Sequence, residues 1–235
     1  MFPLLSQATM TKTLILQLKY GGLGDHLFYS HIPRIAKETG VYDKVLISNK
    51  SEFRSNDYRH IIWELNPHID GFTDEEGQYV TDAKPQNDNE NLLDRIMLGL
   101  GLDDGKRFHE PEIYYKPLIL PDLADAIVYD PNYLSNAGFV NSKKVSRYFR
   151  EKNIKVDLQL VQRERYIPTL PFGKFLRTKS IYDFMDVIAS AKEVYSLVTG
   201  TPTLAAALGR RVHVFYTPEM PPEFRHSKNN DYIPL

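Results

Sequence analysis

Between Thr13 and Ser48 the chain runs from an apolar stretch through a glycine cluster and an amphipathic segment into a second apolar stretch. Few folds accommodate that succession. Thr13-Leu14-Ile15-Leu16-Gln17-Leu18 is short and apolar, as a strand buried on both faces must be. Gly21-Gly22-Leu23-Gly24-Asp25 follows at once. Leu27, Phe28, Ile32, Ile35 and Ala36 then recur at near-helical spacing and stop at Gly40, a common helix terminator. Pro33 inside this pattern predicts a kink or a late helix start, because proline lacks an N–H and crowds the preceding turn. Lys44 to Ser48 supplies a second strand through Val45, Leu46 and Ile47. Strand, helix, strand over so short a distance is a βαβ unit, whose strands pair in parallel.

The pattern continues with a helix from Tyr58 to Leu65 broken by Asn66-Pro67, and a short strand from Ile69 to Phe72. Thr73 to Glu90 is polar and acidic and reads as a surface loop. Leu92 to Leu100 reads as a helix closed by Gly101, Ile113 to Tyr115 as a strand, and Pro117 to Pro121 as a linker. A second series then begins. It comprises a strand at Ala126 to Tyr129, a turn at Asp130-Pro131-Asn132, and a helix capped by Ser142 that runs to about Lys152. A strand at Val156 to Val161 and a helix at Ile181 to Ala191 follow. A strand at Tyr195 to Val198, a helix at Pro202 to Leu208 and a strand at Val212 to Phe215 complete it. Two αβ series of similar size predict an α/β protein of two small Rossmann-like domains, 1–120 and 121–235.

Composition narrows the functions such a fold could serve. Lys and Arg total 29 against 30 Asp and Glu, so a net charge of −1 gives no general attraction to nucleic acid. Any anion must be held by a local site. Without cysteine the chain can form neither a disulfide framework nor a thiolate metal site, which suits a reducing compartment such as the cytoplasm. The segment from Met1 to Met10 lacks the basic-then-apolar pattern of a signal peptide. No apolar run approaches the roughly 20 residues that span a bilayer. The expectation is a soluble protein with room for peripheral membrane contact. No His-rich or paired-carboxylate pattern suggests a metal, and neither a G-x-S-x-G nor a P-loop sequence occurs.

Two segments can carry chemistry. The first is the glycine cluster. A dinucleotide fingerprint requires G-x-G-x-x-G and an acidic residue about 20 positions on, whereas here Gly22 and Gly24 lead to Asp25 and the second strand ends Ile47-Ser48-Asn49. Asp25 stands at the carboxyl end of the first strand, where open α/β sheets keep their ligands. Its carboxylate can act as a general base or cap the following helix, and the spacing favours neither. His26 and His31 read more readily as packed or surface histidines than as catalytic ones. The second segment is Val198-Thr199-Gly200-Thr201-Pro202-Thr203-Leu204. Thr201 before Pro202 predicts a capped helix start, with the amides of Thr203 and Leu204 open to an anion. Packing alone also explains the small residues Ala205 to Ala207.

Together these segments resemble the heptosyltransferase-type family of inverting glycosyltransferases, the ADP-heptose:lipopolysaccharide enzymes and their relatives. Gly24-Asp25 and Pro33 are similar to that family's first turn and proline-containing helix. Asn66-Pro67-His68-Ile69-Asp70 resembles its Asn-Pro-x-Ile-Asp segment. Leu204-Ala205-Ala206-Ala207-Leu208-Gly209 matches the end of its Asp-Thr-Gly-x-x-His-Leu-Ala-x-Ala-Leu-Gly signature. The resemblance implies a GT-B fold and a nucleotide-sugar donor held by the C-terminal domain. It also implies a glycan or lipopolysaccharide-type acceptor on the N-terminal side near Gly22, Gly24 and His26, with Asp25 as base and neither metal nor cofactor. Donor contacts would come from Thr199, Gly200, Thr201, Thr203 and Leu204, from Asn132 beside Asp130-Pro131, and from Glu164 toward a ribose hydroxyl. Lys143, Arg163 and Arg165 are candidate cations for the diphosphate. Val198 and Thr203 replace the family's Asp and His, which removes two donor contacts. The chain is also about a third shorter than typical members, which implies a pared-down acceptor side.

Lys19 to Phe28 also resembles the Gly-Gly-Leu-Gly-Asn-Gln-x-Phe start of GDP-fucose-using fucosyltransferases. The His-x-Arg-Arg-Gly-Asp-type segment of those enzymes has no counterpart between Ile127 and Leu134, so the first resemblance takes precedence. Two alternatives to an active transferase are a degenerate nucleotide- or glycan-binding module and a nucleotide-sugar epimerase.

Overall fold

The computed structural model describes residues 11–81, 83–132, 140–161 and 169–235. Two parallel sheets organise it. In the first, β1 (Thr13–Leu16), β2 (Lys44–Ser48) and β3 (Gly71–Thr73) lie side by side in chain order. Leu14, Leu16, Val45 and Ile47 are fully buried, as strands covered on both faces require. Between β1 and β2 the amphipathic stretch splits into α1 (Leu23–Leu27) and α2 (Ile32–Glu38), with Pro33 in the first turn of α2. There a missing N–H costs nothing, so the proline marks a new helix start.

The segment expected as a helix from Tyr58 is one turn of α-helix, α3 (Asn56–Tyr58), running into a π-helical turn, Arg59–Glu64. Its apolar side chains Ile61, Ile62 and Trp63 are fully buried. The polar stretch expected as a surface loop departs from that expectation at one point. Gln78 bridges Leu16 on the edge of β1 away from β2, donating to Ile15 O (2.7 Å) and accepting from Gln17 N–H (3.0 Å). Next comes α4 (Leu92–Gly99), capped by Asn91. Ile113–Tyr115, expected as a strand, is irregular and pairs with no strand among the described residues.

The second sheet has six strands: β4 (Ile127–Asp130), β5 (Leu158–Leu160), β6 (Lys174–Leu176), β7 (Glu193–Leu197), β8 (His213–Tyr216) and β9 (Asp231–Pro234). Every pairing is parallel and the spatial order is β6-β5-β4-β7-β8-β9. Counted within this half the order is 3-2-1-4-5-6, that of dinucleotide-binding folds, with its switch point between β4 and β7. Among the described residues three α-helices connect the strands. They are α5 (Ser142–Glu151), capped by Asn141 rather than Ser142, α6 (Ile181–Ser190) and α7 (Gly200–Ala207).

A shared core joins the two halves, running from Leu14 and Trp63 to Met185, Leu204 and Val214. A polar clasp joins them as well. The side-chain amide of Asn91 donates to the carbonyls of His109 (2.7 Å) and His226 (2.6 Å). Among the described residues no helix is long and apolar enough to cross a membrane.

Candidate active site

Each sheet delivers one glycine turn from the carboxyl end of a strand, and the two turns touch. A methyl group placed on Gly24 would lie 3.3 Å from Gly200 Cα. One placed on Gly200 would lie 3.2 Å from Gly24 N and 3.4 Å from Leu23 Cβ. The first turn of α1 therefore abuts the first turn of α7, and a Cβ at either glycine would push the backbones apart by a few tenths of an ångström.

Asp25 sits at this seam. Its Oδ2 accepts the Gly22 N–H at 3.1 Å, so it does cap α1. The carboxylate is nonetheless only half-buried. Burial pushes its pKa above the ordinary carboxylate value, against the Gly22 N–H and the Arg54 guanidinium, which pull it down. A carboxylate moved in that direction takes up a proton more readily near neutral pH. A Cβ on Gly22 would come within 2.5 Å of Asp25 Oδ2, so any other residue there would displace that carboxylate from its place.

His26 does not face a substrate. The ring is fully buried, Nδ1 accepts the Trp63 indole N–H (2.9 Å), and Nε2 bonds to Glu52 O (2.8 Å). The indole can only donate, so the proton sits on Nε2 and the ring is a neutral strut. Burial lowers its pKa to about 4. Its place on the acceptor side is thereby corrected: it holds the 52–54 segment against the glycine turn. His31 is also fully buried, stacked on His109 with centroids 5.4 Å apart.

The C-terminal turn is built differently from the sequence expectation. Thr199, not Thr201, caps α7, and its side chain accepts the Thr201 N–H at 3.1 Å. Pro202 is therefore the third helical residue, and the amides of Thr203 and Leu204 lie inside the helix rather than open to an anion. The groups left without an intrahelical partner are the N–H of Thr199 and Gly200. Thr201 instead donates its hydroxyl to Asp130 Oδ2 at 2.5 Å, tying α7 to the end of β4 across the switch point. Asn132 turns back in the same way: its N–H reaches Asp130 Oδ1 (3.0 Å), and its amide bonds both Asp130 Oδ1 and Leu160 O. Val198 and Leu204 are core residues. Thr203 is fully buried, and its Oγ1 finds no hydrogen-bond partner among the described residues. Lys143 is exposed on the first turn of α5. Arg163, Glu164 and Arg165 fall outside the described residues.

The structure also brings in side chains that sequence reasoning missed. Arg54 is exposed beside Asp25, its N–H on Gly21 O at 3.0 Å. The signal for it was positional, since it follows the carboxyl end of β2. Tyr29 and Tyr79 stack at 5.5 Å, with Tyr20 edge-on to Tyr79 at 6.1 Å. The Asp25 charge contributes to raising the pKa of both Tyr29 and Tyr79, after burial as the main cause. Among the described residues no group of three or more His, Asp or Glu side chains is arranged to hold a metal ion.

No family model and no curated protein matches the sequence. Solved structures do match in fold. A family 9 glycosyltransferase from Veillonella parvula DSM 2008 superposes with a TM-score of 0.64 at 10% identity, over 96% of this chain and 86% of that one. The E. coli heptosyltransferase WaaC with ADP gives 0.55 at 12% identity, over 95% and 93%. The iron-containing dodecameric glycosyltransferase TibC from enterotoxigenic E. coli H10407 gives 0.65 at 13% identity, over 94% of this chain but only 62% of TibC. At such identities the shared property is architecture, and the chain has the α/β, GT-B fold of the heptosyltransferase-type glycosyltransferases.

Proposed function

We propose that this chain is an inverting glycosyltransferase that moves a sugar from a nucleotide-sugar to a hydroxyl of a glycan or lipopolysaccharide-type acceptor. Residues 1–120 would form the acceptor-side domain and residues 121–235 the donor-side domain, in a cytoplasmic protein. One observation carries the reading: a half-buried carboxylate with a raised pKa, Asp25, stands where the glycine turns of both sheets meet.

The acceptor oxygen would bond to the anomeric carbon as the bond from that carbon to the diphosphate breaks with its electron pair. Attack from the face opposite the leaving group inverts the centre. The acceptor proton passes to Asp25, and the nucleoside diphosphate departs. The N–H groups of Thr199 and Gly200, at the positive end of α7, favour the negative charge that develops there. Arg54 offers a cation beside the glycine turn on the acceptor side, its Nη1 3.5 Å from a Cβ placed on Gly22. On this reading neither a metal nor a cofactor takes part.

A second reading is favoured by one observation. Val198 and Thr203 are buried, so on this reading the positions where the resembling family has an Asp and a His contribute no donor contact. A binding module without turnover follows if the remaining contacts suffice only for affinity. TibC binds ADP-D-β-D-heptose, which makes ADP-sugars the first donors to test, followed by GDP-, UDP- and CDP-sugars. Thermal stabilisation by one donor class with sugar transfer or hydrolysis supports the transferase. Stabilisation without turnover supports the module, and no stabilisation by any donor contradicts both.

A further inference from the structure

Beside Asp25 the carboxyl end of β1 carries an aromatic surface that the proposed chemistry does not use. Tyr20 is 61% exposed. Its ring meets Tyr79 edge-on at 6.1 Å. Tyr79 stacks on Tyr29 and carries the Lys19 ammonium 5.7 Å from its centroid, so the open ring is that of Tyr20.

The surface is rigid for identifiable reasons. Gln78 is bonded to the edge of β1, and Gly77 N–H donates to Gln17 Oε1 at 2.9 Å. A Cβ on Gly77 would lie 2.7 Å from Ile15 O, so this close docking requires glycine. Tyr29 OH donates to Val80 O (3.0 Å) and accepts from Val80 N–H (3.2 Å), which locks the far side of Tyr79. These bonds fix the residue that supports Tyr20. An ordered, solvent-facing aromatic ring is pre-organised to receive the C–H face of a pyranose, which is apolar, while the hydroxyls around the ring rim stay hydrated.

We propose that Tyr20, backed by Tyr79, is the stacking platform that positions the acceptor, and that the acceptor is therefore a sugar ring rather than a polypeptide hydroxyl or a lipid alcohol. Tyr20 lies five residues before Asp25, and the Asp25 carboxylate is near enough to the supporting Tyr79 for its charge to act on that phenol. This rests on the transferase reading for its role, but binding itself does not need turnover.

The test uses the full chain and ligand-observed saturation-transfer NMR with methyl glycosides of glucose, galactose, mannose and N-acetylglucosamine. At least one glycoside should receive saturation, strongest at the ring C–H protons. Tyr20→Ala should weaken that binding by about tenfold, the scale of one lost aromatic contact, while Tyr20→Trp keeps it, since the ring face and not the hydroxyl makes the contact. No binding by the wild-type chain, or binding indifferent to Tyr20→Ala, overturns the platform. Binding that depends on Tyr20 in a protein that turns over no donor overturns the transferase reading alone.

Discussion

Asp130 is fully buried, and the Thr201 hydroxyl is one of the groups that keep its charge compensated. Hydrogen bonds to charged groups count for more than neutral ones, and removing a donor exposes the buried partner to its desolvation cost. Thr201→Val, which preserves shape, should lower the unfolding free energy by about 1.5–3 kcal/mol in urea denaturation. The buried histidines give a second expectation. His26 and His226 are held neutral by burial, each with a pKa lowered from 6.5 to about 4. The unfolded chain protonates them near 6.5, so it binds more protons than the native state between those values. Their stabilisation is complete above pH 6.5 and declines as the pH falls toward 4. His109 moves the other way: burial opposes its charge, but its bonds to Asp94 and Asp104 outweigh that. Its contribution is lost as the pH rises through its raised pKa. Equilibrium unfolding from pH 7 to 4 should therefore show falling stability, and His26→Gln with His226→Gln should flatten the fall.

At the scale of elements the seam between α1 and α7 carries the most information. Gly24 and Gly200 allow contact that a Cβ would push apart by a few tenths of an ångström. Gly24→Ala should lower the melting temperature, with a cost of about 1–3 kcal/mol as in other overpacked contacts. It should also depress transfer more than donor binding, because it separates Asp25 from the donor side. The strand–turn–helix succession around both glycine segments was legible because periodicity and glycine placement are local properties. Lys44–Ser48 was read to the residue. The cap of α7 was misplaced by two residues because Thr199 and Thr201 are equally suited to it, and only the position of Asp130 decides which hydroxyl turns where. Tyr79 was hidden in a polar stretch because a single bridged residue has no period to read. Strands β6 and β9, at the two sheet edges, are too short and polar to stand out: β6 is Lys174–Leu176 and β9 holds Asp231 and Pro234.

For the whole molecule, the order of the six-stranded sheet could not be read from the sequence, since strand neighbours are set by tertiary packing. Once known, it puts the switch point at Asp130 and Thr199, where the sequence had placed its donor contacts. What the sequence could not reveal is how far those contacts are turned inward, with Thr203 sealed between the halves and Asn132 bonded to Leu160. The balance between an active enzyme and a binding module therefore falls on the remaining carboxylate. Asp25→Asn can still accept the Gly22 N–H, so the fold and donor binding should survive. Because burial raises the Asp25 pKa, its ionised form is destabilising at neutral pH, and the neutral amide should melt at the same temperature or higher. The direct measurement is the initial rate of sugar transfer by wild-type and Asp25→Asn protein, each saturated with a donor that stabilises both equally. A loss of about 100-fold or more, on the scale of a missing general base, is the expected result. Transfer at the wild-type rate by the asparagine variant would contradict the account.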